Sequence, residues 1–228
     1  MKQPAWKQWL SHWMDLHIES APSETNPHLY VCLSRGRYQL GSKKAVYSFG
    51  DLYSNYRTSF SALRWERLPE SCEVLLLGVG LGSIPYMLEK TFDRQFIYTG
   101  VEVDENVLYL AQKYVLHDLS SPMVIHNADA FLFMQQSTST FDIICMDVFL
   151  DDVVPAEFES REFLDRLKAT LNENGVLLYN CLAQSAKDVV HTQTFLHDHF
   201  LQVFPDGGYL DVRGNWMLVN DKSYFDYP

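Results

Sequence analysis

The sequence predicts an α/β fold with a doubly wound, mostly parallel sheet, preceded by a small antiparallel β unit. From Val74 onward, short apolar runs alternate with amphipathic stretches of helical length. Strands that are apolar on both faces and alternate with helices indicate a parallel sheet covered by helices on both sides. Before Val74, short β-like runs are separated by turn-forming residues, which is typical of antiparallel hairpins.

The chain is predicted to divide at residue 68. Residues 1–68 comprise an N-terminal helix, the small β unit and a linker helix, and residues 69–228 form the larger domain. The predicted elements of the first part are, in chain order, a helix over 4–18, a linker at 20–27, β runs at 28–34, 37–41 and 44–49, and a helix over 51–66.

The helix predicted over 4–18 carries an apolar face that consists mainly of tryptophans, namely Trp6, Trp9, Leu10, Trp13 and Met14. Two interpretations of this face remain open. It packs on its own domain, or it forms a subunit contact, because exposed tryptophans favour a partner surface.

The larger domain is predicted to contain five strand–helix units and a final β-rich stretch. The predicted strands cover 74–78, 96–102, 122–126, 142–147 and 175–182. The predicted helices cover 82–90, 105–115, 129–136, 160–172 and 186–200. The stretch 201–220 contains Gly207 and Gly208 and is predicted to form a hairpin.

Composition and charge exclude several classes of function. Apolar residues make up 47% of the 228 residues, enough for a buried core, and the net charge is −11. An acidic surface repels phosphate backbones, so a nucleic-acid partner is not expected. No stretch approaches the ~18 apolar residues of a membrane span, so no membrane partner is expected. No pair of the four cysteines has CxxC spacing, and the N-terminal residues lack the pattern of a signal peptide. Both observations favour a reduced, cytoplasmic location.

The ends of the predicted strands carry the residues expected to bind a ligand, because ligands of open α/β sheets lie outside the carboxyl ends of the strands. The first strand runs into Gly78, Gly80 and Gly82, which let the backbone approach a ligand closely and begin a helix. A dinucleotide fingerprint would place glycine or alanine at position 83, where Ser83 stands. The observed spacing suits an adenosyl sulfonium cofactor at least as well.

The next three strands each end near an acidic residue. Glu102 stands about 20 residues beyond the glycines, where an acid can accept hydrogen bonds from two ribose hydroxyls. Asp104 is predicted to cap the following helix, and Asp129 to cap its helix, to bind an adenine amino group, or both. Asp147 ends a central apolar strand and is expected to face the ligand crevice.

Five segments, in this order, resemble the spermidine synthase (aminopropyltransferase) group within the S-adenosylmethionine-dependent methyltransferase superfamily: VLLLGVGLGS, YTGVEVDENV, HNADAFLFM, FDIICMDVF and LNENGVLLYN. The resemblance covers roughly residues 28–220. It implies a Rossmann-like sheet of the class I methyltransferase type. The N-terminal β unit favours the synthase branch, because the methyltransferase fold alone does not require it.

The resemblance implies roles for individual residues. The glycine loop 78–82 would hold the methionine-derived end of the cofactor, Glu102 the ribose and Asp129 the adenine. Asp147 would handle the attacking amine and would also border the cofactor, while Gln39 and Tyr53 would line the pocket from the small β unit. Either Asp151 or its neighbour Asp152 would bind the far ammonium of a diamine.

The sequence departs from the family pattern at two places. The family's glycine loop usually carries an aspartate, which contacts the cofactor's amine, where Leu81 stands. The family's D-x-x-D-P pattern after the fourth strand is replaced by Asp147-Val-Phe-Leu-Asp151, without a following proline. Binding of an adenosyl sulfonium is compatible with both departures, whereas transfer to putrescine is placed in doubt.

Three hypotheses follow. The first is an enzyme that uses decarboxylated S-adenosylmethionine to transfer an aminopropyl group to a small polyamine-type amine, with Asp147, Asp151 and Tyr53 as catalytic residues. The second is a methyltransferase that uses intact S-adenosylmethionine, which Leu81 favours. The third is a binding or assembly protein on a degenerate enzyme fold. No metal is expected, and the resemblance implies a homodimer or tetramer.

Overall fold

The computed structural model describes residues 3–23, 25–26, 28–42, 46–150 and 153–226, and these form two β-sheets. The smaller sheet has four strands in the order β1-β2-β3-β4 and is antiparallel throughout. Its strands are β1 Leu16–Ala21, β2 Leu29–Ser34, β3 Arg37–Gly41 and β4 Val46–Ser48. The predicted small antiparallel β unit is thereby confirmed.

The N-terminal segment differs from the predicted helix over 4–18. The helix α1, Ala5–Leu10, ends within two turns, and the following residues form β1 instead. Pairing of β1 with β2 from Leu16↔Leu33 to Ala21↔Leu29 satisfies the backbone groups that a longer helix would have bonded internally. The predicted linker at 20–27 therefore begins two residues too early.

The apolar residues of this segment stay on the surface. Trp6, Trp9, Trp13 and Met14 are 62%, 66%, 77% and 57% exposed, and Lys7 lies over the ring of Trp6. The expectation that this face packs on its own domain is wrong for these side chains.

The larger sheet has seven strands in the order β10-β11-β9-β8-β5-β6-β7. Five of them run parallel: β5 Glu73–Leu77, β6 Ile97–Glu102, β7 Met123–Asn127, β8 Phe141–Met146 and β9 Leu171–Leu182. The hairpin of β10 Gly208–Asp211 and β11 Asn215–Val219 adds antiparallel to β9. The predicted mostly parallel sheet is confirmed.

Helices cover both faces of this sheet. They are α2 Ser54–Ala62, α3 Ser83–Lys90, α4 Glu105–Tyr114, α5 Ala130–Gln136, α6 Arg161–Thr170 and α7 Ala186–Phe195, the last continued by a π-helical turn, Leu196–Phe200. Two apolar layers result. One packs α2 and α3 against the sheet, and the other packs α5, α6 and α7 against its opposite face. None of the helices in the described ranges has the length and apolar character needed to cross a membrane.

One helix in the sequence-based assignment needs correction. The helix predicted over 51–66 is interrupted: a 3₁₀ turn, Gly50–Leu52, precedes α2, and a second, Trp65–Arg67, follows it. The hairpin predicted within 201–220 is confirmed and consists of β10 and β11. Its turn lies at Arg213 and Gly214, whose φ angles are +63° and +102°.

The four cysteines are buried and free. Burial raises the pKa of each thiol above its ordinary value, which keeps the thiols neutral within the core.

Candidate active site

A cavity of about 660 Å³ lies at the carboxyl ends of the parallel strands, between the two sheets. Its lining comes from the small sheet and its connections, from the glycine loop, and from the segments after β6, β7 and β8. The turn of the β10–β11 hairpin closes one side. The sheet edge at which the sequence predicts ligand binding is thus where the structure has its cavity.

The glycine loop after β5 adopts a backbone that favours glycine. Gly78, Gly80 and Gly82 have φ angles of +87°, +53° and +86°. A Cβ on Gly78 would clash with the backbone carbonyl oxygen of Asp147, and a Cβ on Gly80 would lie 3.1 Å from Cβ of Ser48. Gly78 and Gly80 line the cavity. Gly82 instead caps α3, and a Cβ there would clash with Leu116 outside the cavity.

Glu102 is held against the glycine loop. Its Oε2 accepts hydrogen bonds from the backbone N–H groups of Val79 (3.1 Å) and Gly80 (3.3 Å), and its Oε1 accepts one from Asp104 (3.2 Å). Burial raises the pKa of the Glu102 carboxyl, and these backbone donors oppose the rise. The carboxylate therefore ties the end of β6 to the loop while it lines the cavity.

The two predicted helix caps are confirmed. Asp104 accepts a hydrogen bond from the backbone N–H of Asn106 at the start of α4 (2.9 Å), and Asp129 accepts one from Leu132 at the start of α5 (2.9 Å). Asp104 also accepts from the amide of Asn26 (2.6 Å), which binds the segment before β2 to the edge of the cavity. Asp129, like Glu102, lines the cavity.

Asp147 lines the cavity directly after β8. Its Oδ1 accepts hydrogen bonds from the hydroxyl of Tyr53 (3.1 Å) and from the side-chain amide of Asn180 (2.8 Å). Burial raises the pKa of the Asp147 carboxyl from 3.8 to about 6; the two donors lower it and the charge of Glu102 raises it. A carboxyl with such a pKa exchanges a proton near neutral pH, which suits a general base.

The structure brings most of the predicted site residues together. Gly78, Gly80, Glu102, Asp129, Asp147 and Tyr53 all line the cavity. Gln39 does not: in β3 its neighbour Leu40 faces the cavity, and side chains alternate between the faces of a strand. Asp151 and Asp152 lie outside the described residues.

The residues that β9 and the β10–β11 hairpin contribute to the cavity were not predicted from the sequence. Asn180 lies in β9 and is 1% exposed, and Asn215 begins β11 and is 6% exposed. Arg213 in the hairpin turn is the one basic residue among the described lining residues. A polar residue inside the apolar run of β9 is a signal for Asn180. Asn215 and Arg213 carry no such signal, because their place depends on how the hairpin pairs.

Leu81, which replaces the family's usual aspartate, does not line the cavity. It is 1% exposed and packs with residues of α4. Within the described part of the chain, no cluster of three or more His, Cys, Asp or Glu side chains could hold a metal ion.

The chain resembles known transferases in sequence and fold. The model of the spermine/spermidine synthase domain family matches residues 66–204, more than half of the chain. A polyamine aminopropyltransferase from Vibrio vulnificus is 27% identical over 151 residues, which are 65% of this chain and 48% of that protein. An eEF1A lysine and N-terminal methyltransferase from Bos taurus is 28% identical over 130 residues, 51% of this chain and 18% of that protein. The chain thus spans about half or less of the length of these relatives.

Solved structures share the fold. A probable spermidine synthase from Corynebacterium glutamicum superposes with a TM-score of 0.71 at 17% identity, covering 90% of this chain and 79% of that one. Human methyltransferase-like protein 13, solved in complex with SAH, gives a TM-score of 0.57 at 23% identity, covering 66% and 72%. Both branches that the sequence resembles therefore have the fold observed for this chain.

Proposed function

Because the chain belongs to the spermine/spermidine synthase domain family, we propose that it binds decarboxylated S-adenosylmethionine and transfers the aminopropyl group to a small polyamine-type amine. The observation that supports this most is the convergence of Glu102, Asp129 and Asp147 with the glycine loop on one cavity. When bound, the cofactor would supply an electrophilic methylene carbon next to its sulfonium; the amine nitrogen would bond to that carbon as the carbon–sulfur bond breaks, and methylthioadenosine would be the leaving group.

The residues present fit an adenosyl group. Because Gly78 and Gly80 have no side chains, a ligand can approach the backbone of the loop closely. Glu102 and Asp129 provide carboxylate oxygens at the ends of successive strands. Val103 and Ala130 beside them provide apolar contact for a base. Glu102 would hold the ribose, and Asp129 the adenine.

Asp147 would prepare the amine for attack. An alkylammonium has a pKa near that of lysine, about 10.4, so it must lose a proton to become a nucleophile. Asp147 can bind the ammonium and accept that proton, while Tyr53 and Asn180 fix its carboxylate in the cavity. The apolar side chains of Val148 and Phe149 border the same region and restrict water.

The charge distribution of the cavity favours a short amine. Carboxylates of Glu157 and Asp188 also line the cavity and attract a cationic substrate. Arg213 lies on the same lining and would repel the distal ammonium of a longer polyamine. We therefore expect short diamines to bind better than triamines.

Methyl transfer from intact S-adenosylmethionine to an amine is the second candidate. Leu81 favours it, because this buried apolar side chain supplies no carboxylate for the amine of the decarboxylated cofactor. The relatives whose names specify lysine and N-terminal methylation also act on amines.

Calorimetry and product analysis distinguish the candidates. The full chain is titrated with decarboxylated S-adenosylmethionine, intact S-adenosylmethionine and methylthioadenosine, then incubated with diamines of increasing length and analysed by mass spectrometry. We expect tighter binding of the decarboxylated cofactor and an aminopropylated diamine. A methylated product and preference for the intact cofactor would support the second candidate. Failure to bind any adenosyl ligand would overturn both and favour a binding protein.

A further inference from the structure

Three neighbouring strands of the large sheet place polar side chains in a row. Asp147 follows β8, Asn180 lies in β9, and Asn215 begins β11. The register pairs Met146 with Tyr179, so Asp147 lies beside Asn180. The antiparallel register pairs Met217 with Asn180 and Asn215 with Leu182, which makes Asn215 the diagonal neighbour of Asn180.

The hydrogen bonds in this row run in one direction. Asn215 donates through Nδ2 to Oδ1 of Asn180 (2.9 Å), and Asn180 donates through Nδ2 to Oδ1 of Asp147 (2.8 Å). Both amides are buried, with exposures of 6% and 1%. Each bond therefore lies in a region of low dielectric, where a misplaced polar atom is costly.

We propose that Asn215 is a positioning residue, which acts through Asn180 by holding its amide in the orientation that donates to Asp147. The inference rests on the proposed function for the role of Asp147 in the reaction, although the orientation itself does not require a substrate.

An asparagine amide has one end that accepts hydrogen bonds and one that donates them. The side chain of Asn180 has nearly the same shape when its oxygen and nitrogen exchange places. With the donor of Asn215 on one side, only one orientation satisfies the Asn180 oxygen and also presents an N–H to the Asp147 carboxylate. Without the Asn215 donor, the Asn180 amide can turn so that its oxygen faces Asp147 and accepts a hydrogen bond from the protonated carboxyl. This contact favours the protonated form of Asp147, so the pKa of Asp147 rises.

Other groups around Asp147 belong to elements other than β11. They are Tyr53 and Tyr56 at the start of α2, Cys145 in β8 and Glu102 at the end of β6. The charge of Glu102 raises the pKa of Asp147, and the Tyr53 hydroxyl lowers it. We therefore expect the effect of Asn215 on the pKa of Asp147 in addition to the contributions of these groups.

The test is a carbon-13 NMR titration of the full chain labelled at aspartate carboxyls, with the Asp147 signal assigned by its loss in Asp147→Asn. Asn215→Leu is compared with Asn180→Leu, which removes the donor directly. We expect both variants to move the titration midpoint upward from about 6, because each weakens the donor that favours the carboxylate. The acidic limb of the pH profile of kcat/KM should move in the same direction.

Asn220→Leu is the matched control in the same hairpin. Asn220 follows β11 and bonds the backbone of β9 through Leu177 N–H (2.8 Å) and Gly175 C=O (3.0 Å), so its loss weakens the sheet without touching Asp147. Its midpoint should equal that of the wild type. The proposal would be overturned if the midpoint in Asn220→Leu rose as much as in Asn215→Leu. It would also be overturned if the midpoint shifted in Asn180→Leu but not in Asn215→Leu.

Asn215→Asp provides a nearly isosteric second variant. The new carboxylate is an acceptor, so it would draw the N–H end of Asn180 towards itself and turn the carbonyl towards Asp147. We expect a larger upward shift of the Asp147 midpoint than in Asn215→Leu, because the turned amide and the added negative charge both raise the pKa; a smaller shift would contradict the proposal. The Asp147 midpoint could shift as expected while the protein transfers neither an aminopropyl group nor a methyl group to any amine tested. That result would support the positioning role of Asn215 and refute the proposed function.

Discussion

At the scale of single residues, the proposed reaction requires the Asp147 carboxyl to be ionised, whereas its burial disfavours the ionised form. Its two donors, Tyr53 and Asn180, both reach Oδ1. An asparagine at this position can keep both bonds through its carbonyl oxygen. The change Asp147→Asn therefore removes the ionisable group while it preserves the local hydrogen bonds.

We predict that Asp147→Asn folds and is more stable than the wild type at pH 7. The folded-state pKa of Asp147 is about 6, above its ordinary 3.8. Between these values the folded state binds more protons than the unfolded state, so the free energy of unfolding falls as pH rises from about 4 to about 6. Asparagine avoids this loss, which is about 3 kcal/mol.

Urea denaturation at pH 7 and at pH 3.5 checks this prediction, since the difference between the two proteins should largely vanish at the lower pH. Product formation by the variant should fall by roughly 100-fold or more. A variant that is less stable than the wild type at pH 7, or that retains full turnover, would contradict the role given to Asp147.

Gly78 is the residue at which a small side chain should do most harm. Its φ is +87°, and a Cβ would clash with the backbone of Asp147. We expect Gly78→Ala to lower the free energy of unfolding by about 2 kcal/mol or more and to weaken methylthioadenosine binding, as measured by calorimetry. Gly36→Ala is the control, since Gly36 has φ +75° but a Cβ there meets nothing closer than 3.4 Å. Equal binding by Gly78→Ala and the wild type would count against the loop as a ligand site.

At the scale of elements, the short strand β4 covers the glycine loop. The hydroxyl of Ser83, at the start of α3, is 2.6 Å from that of Ser48 and accepts the backbone N–H of Phe49 (2.8 Å). Ser83 thus joins the small sheet to the loop at the position where a dinucleotide fingerprint has glycine or alanine.

We predict that Ser83→Ala loosens this connection. The variant should lose about 1 kcal/mol of stability and bind methylthioadenosine several-fold more weakly, because Phe49 lines the cavity. Ser61→Ala removes a hydroxyl that bonds only within α2 and should leave binding unchanged. Equal affinities of Ser83→Ala and Ser61→Ala, measured by calorimetry, would contradict a covering role for β4.

The elements show what sequence periodicity can and cannot predict. The strands of the parallel sheet were predictable because they are apolar on both faces, and their polar ends give Glu102, Asp129 and Asp147 directly. Residues 16–18 were assigned to the N-terminal helix and residues 20–21 to a linker, although they belong to β1. A short segment of mixed pattern takes its structure from its partner strand, here β2. The contributions of Asn215 and Arg213 likewise depend on the pairing of β11 with β9.

At the scale of the whole molecule, the exposed tryptophans bear on the predicted homodimer or tetramer. The rings of Trp9 and Trp13 are 6.4 Å apart and both side chains are mostly exposed. If this face is the subunit contact, a Trp9→Ser, Trp13→Ser double variant should sediment as a smaller species than the wild type and still bind methylthioadenosine. A wild type that sediments as a monomer would contradict the predicted oligomer.

The central claim is that carboxylates at consecutive strand ends and the glycine loop surround one adenosyl ligand. A crystal structure of the full chain with methylthioadenosine tests it most directly. The account predicts the ribose on Glu102, the adenine beside Asp129 and the sulfur facing Asp147. A nucleoside bound elsewhere, or with its sulfur end turned away from Asp147, would contradict it.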